Sequence, residues 1–152
     1  MPCFIVFYAG AFLQWAVYYL RLLFDRDARR YDFLASEMLA KLICAVLFVL
    51  WPITMVRCEL PEKGFFPWWL GIVYAADSPI CLFPSMHCLQ SFLATRYTLR
   101  AYPEKKLLCF SSVLFTLGVF ASTVLVKQHL LPDVFAGVLL AELCYRIAPK
   151  LG

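Results

Sequence analysis

The sequence predicts an all-α fold, a polytopic transmembrane bundle of about five helices. Three observations carry that expectation. Of the 152 residues, 63% are hydrophobic and 17% aromatic, and only 16% are charged, against about 25% in an average soluble domain. Mean hydropathy is +0.77. The few charges are also gathered, so that they divide the chain into apolar runs near the length that crosses a bilayer, about 20 residues. A chain this short has too little interior to hide so much apolar surface from water. The same composition excludes a disordered chain and a small disulfide-built secreted domain. The whole chain, 1–152, reads as one domain.

The first helix is expected over 2–22, because Pro2 to Leu20 carries no charge. The second is expected over 38–56, with Lys41 alone near its start. The third, over 82–99, holds Arg96 near its end. The fourth, over 107–126, is again free of charge. The fifth, over 130–147, carries Asp133, Glu142 and Arg146, and Glu142 and Arg146 are spaced to pair on one helical face. These runs are apolar on every side, whereas a membrane β-barrel needs alternation in segments of about ten. Gly118, Gly137 and Ala141 suit close helix packing. No basic region precedes the first run, so a cleavable signal peptide is not expected.

Lys and Arg counts orient the bundle. The loops after the first and third helices and the C-terminal tail, with Lys41, hold eleven; the other side holds only Arg57, Lys63 and Lys127. That puts a multi-pass protein in the cell membrane with its N-terminus extracytoplasmic and its C-terminus cytoplasmic. Phe65, Phe66, Trp68 and Trp69 in the outer loop suit an aromatic belt at headgroup depth. Asp77 in the same loop reads as solvated. Cys58 and Cys81 fall on the outer side, where a disulfide is open. No Cys pair has C-x-x-C spacing, so zinc or redox chemistry has little support.

The only histidines, His87 and His129, are 42 positions apart, yet this topology brings both to one membrane face. Ser85 suits the N-cap of the third helix, and a helix N-terminus favours an anion. Asp133 follows His129 by four, the spacing of one helical face; a carboxylate there accepts one ring N–H and leaves the other nitrogen free. Ser122 and Thr123 stand as candidate phosphate contacts or as donors to helix carbonyls. Lys127 stands as a phosphate contact or as a snorkelling anchor. Two helix N-termini, each beside a histidine, suit gripping and transferring a phosphate.

Pro84-Ser85-Met86-His87 followed by Ser122-x6-His129-x3-Asp133 resembles the second and third motifs of the type 2 phosphatidic acid phosphatase (PAP2) superfamily, PSGH and SR-x5-H-x3-D. The resemblance covers roughly residues 36–147, with the chain shortened at its front relative to the usual six-helix form. It implies that His129 is a nucleophile forming a phosphohistidine, that Asp133 orients it, and that His87 protonates the leaving oxygen and then activates water. It implies that Ser85 and nearby amides hold phosphate oxygens. It implies neither cofactor nor metal.

The motifs diverge from that pattern. In the first, K-x6-RP, Leu50 stands for the Lys and Cys58 for the Pro, and Arg57 maps onto the Arg. Met86 replaces the Gly of PSGH, and Thr123 replaces the Arg of the third motif. Two of three cations are thus absent, which weakens the grip on a dianion; Lys127 is the candidate substitute. The expected function is hydrolysis of a lipid phosphate or diphosphate, phosphatidate-like or polyprenyl, at the extracytoplasmic face. The alternatives are a lipid phosphotransferase resembling sphingomyelin or inositol-phosphoceramide synthases, and an inactive binding or scaffold relative. A bis-histidine haem protein ranks below these. The partners expected are the lipid substrate and membrane lipids, with no nucleic acid; oligomeric state is left open.

Overall fold

The structure, a computed structural model, describes residues 2–27, 29–57, 63–77, 79–80 and 82–150. Among the described residues it is all-α. Six α-helices follow in order: α1 Ile5–Phe24, α2 Arg30–Leu50, α3 Phe65–Ala76, α4 Met86–Ala101, α5 Lys106–Leu125 and α6 Leu131–Ile147. Helices α1, α2 and α5 are each long and apolar enough to cross a membrane. Cys58 and Cys81 lie outside the described residues.

Helix α4 is the axle of the bundle and packs against α1, α2, α5 and α6. It has 16 residues and α6 has 17, both below the roughly 20 of a full span. Its polar residues face inward and find partners there. Trp15 donates to Ser91 Oγ at 3.0 Å, Gln14 donates to Thr116 Oγ1 at 2.8 Å, and the Thr95 and Thr116 hydroxyls are hydrogen-bonded at 2.7 Å. Such pairing makes a polar helix tolerable where no water reaches it. The outer faces of α1 and α5, by contrast, expose Leu13, Leu20, Leu114 and Leu117, the pattern of a lipid-facing surface.

Two expectations need correction. The second helix runs Arg30–Leu50, not 38–56. It ends early because Trp51 precedes Pro52, and a residue before proline is pushed out of the helical region; Trp51 sits at φ −143°, ψ 71°. It starts early because its charges find partners. Glu37, buried, takes Lys41 at 2.5 Å and the Tyr19 hydroxyl, so Lys41 stands mid-helix and not near the helix start. The aromatic segment after Gly64 is also a helix, α3, not an irregular loop; Gly64 supplies its N-cap at φ 127°, a conformation that favours glycine.

Helices α4 and α6 run parallel. Their N-termini meet where the Ser85 N–H donates to the Asp133 carbonyl at 3.0 Å. Arg96 pairs with Glu142 at 3.4 Å further along, and Glu142 also takes Arg146 at 2.7 Å, as their spacing predicts. A Cβ on Gly137 would stand 2.5 Å from the Ser85 carbonyl oxygen. Glycine here is what lets the two helix starts touch.

Candidate functional site

The two histidines meet at the joined starts of α4 and α6. Their ring centroids are 6.4 Å apart, tilted by 55°.

His87 is the second residue of α4. Ser85 is the N-cap, buried, its Oγ accepting from the Cys88 N–H at 3.4 Å. His87 is held by α1: Tyr8 stacks on it at 4.1 Å, Trp15 lies at 5.0 Å, and Phe12 meets it edge-on at 5.4 Å. The Tyr8 hydroxyl donates to Asp77 at 2.9 Å, so Asp77, expected to be merely solvated, anchors this cage. Residues 8, 12 and 15 share one helical face, a spacing that marks the cage in the sequence and was not read there.

His129 precedes α6 in the extended link after α5. Its backbone N–H, like that of Gln128, donates to the Thr123 carbonyl at 3.0 Å. Asp133 is nine-tenths buried, and its Oδ2 accepts the Leu130 N–H at 2.8 Å. That cap turns the carboxylate back toward His129, and Oδ2 stands 3.6 Å from Nδ1. The distance is ion-pair range, beyond a hydrogen bond. Nε2 of His129 is the nitrogen turned away from the carboxylate.

The predicted phosphate contacts fall into two groups. Ser122 and Thr123 are fully buried and donate to the carbonyls of Val119 and Phe120 at 2.7 and 2.8 Å; their hydroxyl protons serve the scaffold. Lys127 is exposed at φ 58° in the turn that ends α5. Arg57 does come in. The segment carrying it is tied to residues 79–82 by Met55 N–H to Pro79 O at 3.2 Å and Leu82 N–H to Ile53 O at 3.3 Å. Its guanidinium stacks 4.4 Å over the Tyr74 ring and donates to the Tyr74 carbonyl at 2.9 Å and to Gln128 Oε1 at 2.6 Å. The Tyr74 hydroxyl in turn donates to the Val126 carbonyl at 2.6 Å.

Gln128 is the residue the motif reading missed. It is 1% exposed, and a buried amide in an apolar run beside a motif histidine was the available signal. Arg57 Nε, Gln128 Nε2, His87 Nε2 and His129 Nδ1 are all buried with no hydrogen-bond partner in the protein. Native structures leave few such groups. His129 Nδ1 faces Asp133; the other three nitrogens, on residues adjoining this one end of the bundle, suit an acceptor-rich ligand. Among the described residues, no cluster of three His, Cys, Asp or Glu could hold a metal ion.

No curated protein and no solved structure matches the chain. A family model does: that of the PAP2 superfamily matches residues 2–147. The match takes in α1 and its aromatic cage as well as the span from residue 36 that carries the motifs. With nearly the whole chain matched, and with helices suited to a membrane, this protein belongs to the PAP2 superfamily.

Proposed function

We propose that the protein is a membrane phosphatase that hydrolyses a lipid phosphate or diphosphate through a phosphohistidine. The observation that carries the reading is the 6.4 Å approach of His87 and His129, with Asp133 behind one ring and the aromatic cage behind the other. His129 Nε2 attacks phosphorus and the bond to the lipid oxygen breaks. Asp133 stabilises the positive charge that builds on the imidazole. His87 Nε2, buried and unpartnered, gives its proton to the leaving oxygen. A water then attacks the phosphohistidine, His87 takes its proton, and inorganic phosphate leaves.

Arg57 and Gln128 supply the cradle, with the amides at the start of α4 adding N–H groups aimed at an anion. This offsets the absence of the Arg that Thr123 replaces. Lys127, exposed in the turn two residues before His129, is a further candidate cation for the phosphate. The site faces the extracytoplasmic side in this reading, because the eleven basic residues counted on the other side face the cytoplasm.

The test uses purified protein in detergent with phosphatidate and with a polyprenyl diphosphate, in the presence of a metal chelator. Inorganic phosphate is released, and His129→Ala abolishes the release. Phosphate passing to an added diacylglycerol or ceramide instead of water marks a transferase. No turnover of either kind marks an inactive relative.

A further inference from the structure

A groove of about 410 Å³ runs along the outside of the bundle between α1, α4 and α5. Val6, Gly10, Leu13 and Val17 form one wall, and Leu108 and Phe115 the other. At Gly10 the two walls come close, and a Cβ there would stand 2.8 Å from the Phe115 ring. From Val6 to Arg21 is 15 helical residues, about 22 Å at the usual rise. That exceeds the roughly 15 Å that the chains of one leaflet occupy, half of a bilayer core.

The groove does not end in apolar surface. Through Val17 and Arg21 it joins a second hollow of about 370 Å³ that includes Arg26 and Tyr102. This mouth is at the end of the bundle away from the histidines. Two cations crowd the Tyr102 ring there: Arg21 Cζ at 5.3 Å and Lys105 Nζ at 4.9 Å from its centroid. Among the described residues, the ion pairs leave out Arg21, Arg26, Lys105 and Lys106. One carboxylate, Asp25, also lines this hollow and accepts the Tyr97 hydroxyl at 2.6 Å. With Arg21, Arg26 and Lys105 against the single carboxylate of Asp25, this mouth keeps an excess of positive charge that suits an anion.

We propose that this groove holds an anionic phospholipid of the leaflet opposite the histidines. One acyl chain lies along α1, and the phosphate sits between Arg21 and Lys105. An apolar channel of acyl length leading to unpaired cations is complementary to such a lipid at both ends, and basic pockets between membrane helices bind anionic headgroups elsewhere. This is a second lipid site, separate from the one where phosphate chemistry is proposed. It stands whether or not the protein is a phosphatase.

The test is native mass spectrometry of the detergent-purified full chain, mixed with equal amounts of dioleoyl-phosphatidylglycerol and dioleoyl-phosphatidylcholine. One phosphatidylglycerol is retained, with a preference of about tenfold. The double variant Arg21→Gln/Lys105→Gln brings the preference close to one. Leu13→Trp, at a groove position that is 69% exposed and so free to change without disturbing the core, lowers retention several-fold. Lys150→Gln, an exposed charge on the C-terminal tail, changes nothing. Equal retention of both lipids overturns the inference, as does a loss with Lys150→Gln matching that of the double variant. Retention that survives the double variant and is lost with Arg57→Ala overturns it too, by assigning the lipid to the histidine end.

Discussion

Gly137 and Ser85 touch backbone to backbone, close enough that a Cβ on Gly137 would meet the Ser85 carbonyl oxygen at 2.5 Å. The contact fixes the start of α4, and with it His87, against the start of α6. Gly137→Ala forces the two helices apart. The expected cost is about 1–3 kcal/mol of stability, the usual range for overpacking, and a fall of about 100-fold in phosphate release from misplacing His87. Melting temperature and single-turnover assays read the two effects separately.

Asp133 has two tasks, and two substitutions separate them. Asp133→Asn keeps an oxygen to accept the Leu130 N–H but loses the charge facing His129. Melting is expected to hold while phosphate release falls about 10²–10⁴-fold. Asp133→Ala loses the cap as well, costing about 1 kcal/mol more. If Asn retains full activity, Asp133 is a cap and nothing else.

Arg57 and Gln128 are expected to act on binding. Arg57→Lys keeps the charge but cannot serve Gln128 and Tyr74 together. Gln128→Leu removes the donor and leaves Arg57 short of an acceptor. Each is expected to raise KM about 10- to 100-fold, the worth of one charge-assisted bond, with a smaller change in kcat. A fall in kcat alone in both variants contradicts the cradle.

The helical bundle, its apolar runs and the shared face of the two histidines were legible in the sequence. They follow from hydropathy and charge counting, which need no tertiary contact. The start of α2 was not, because Arg30, Asp32 and Glu37 read as part of a charged linker; the buried pairing of Glu37 with Lys41 and Tyr19 favours helix there. Pro52 did signal its end and was passed over. At the site, Ser85 was legible as a cap because capping is local. Gln128 was passed over: an amide beside His129 was there to be seen, but the bond that gives it a role, to Arg57, spans 71 positions. Ser122 and Thr123 show the reverse: hydroxyls at motif positions whose protons go to the nearest carbonyls.

Lys127 offers a separate test of charge against backbone. Its φ of 58° is left-handed, a cost of about 1–2 kcal/mol for a residue with a side chain, at a helix end where glycine is the usual occupant. Lys127→Gly is expected to raise the melting temperature. A simultaneous rise in KM assigns the side chain to substrate; an unchanged KM leaves Lys127 as a turn residue only.

At the other end, acid acts through Asp25. It accepts the Tyr97 hydroxyl and the Asp27 N–H, and these bonds hold its pKa below the ordinary value. Asp27 is lowered further, to about 2, by its bonds from the Arg29 side chain and backbone. A depressed folded pKa means stability that is present above the unfolded value, about 3.9, and lost as pH falls through the folded one. Melting is therefore expected to drop below about pH 4, and Asp25→Asn is expected to remove part of that slope. Thermal scans from pH 6 to pH 2 measure it.

The polar, 16-residue α4 has a consequence for how the chain is made. With Gln90, Ser91, Thr95 and Thr98 on its inner face, it offers the insertion machinery little reason to release it into lipid alone. Its partners on α1 emerge from the ribosome earlier, and Ser112 and Thr116 on α5 emerge later. The axle of the bundle is therefore expected to enter the bilayer together with a neighbour synthesised after it, not alone.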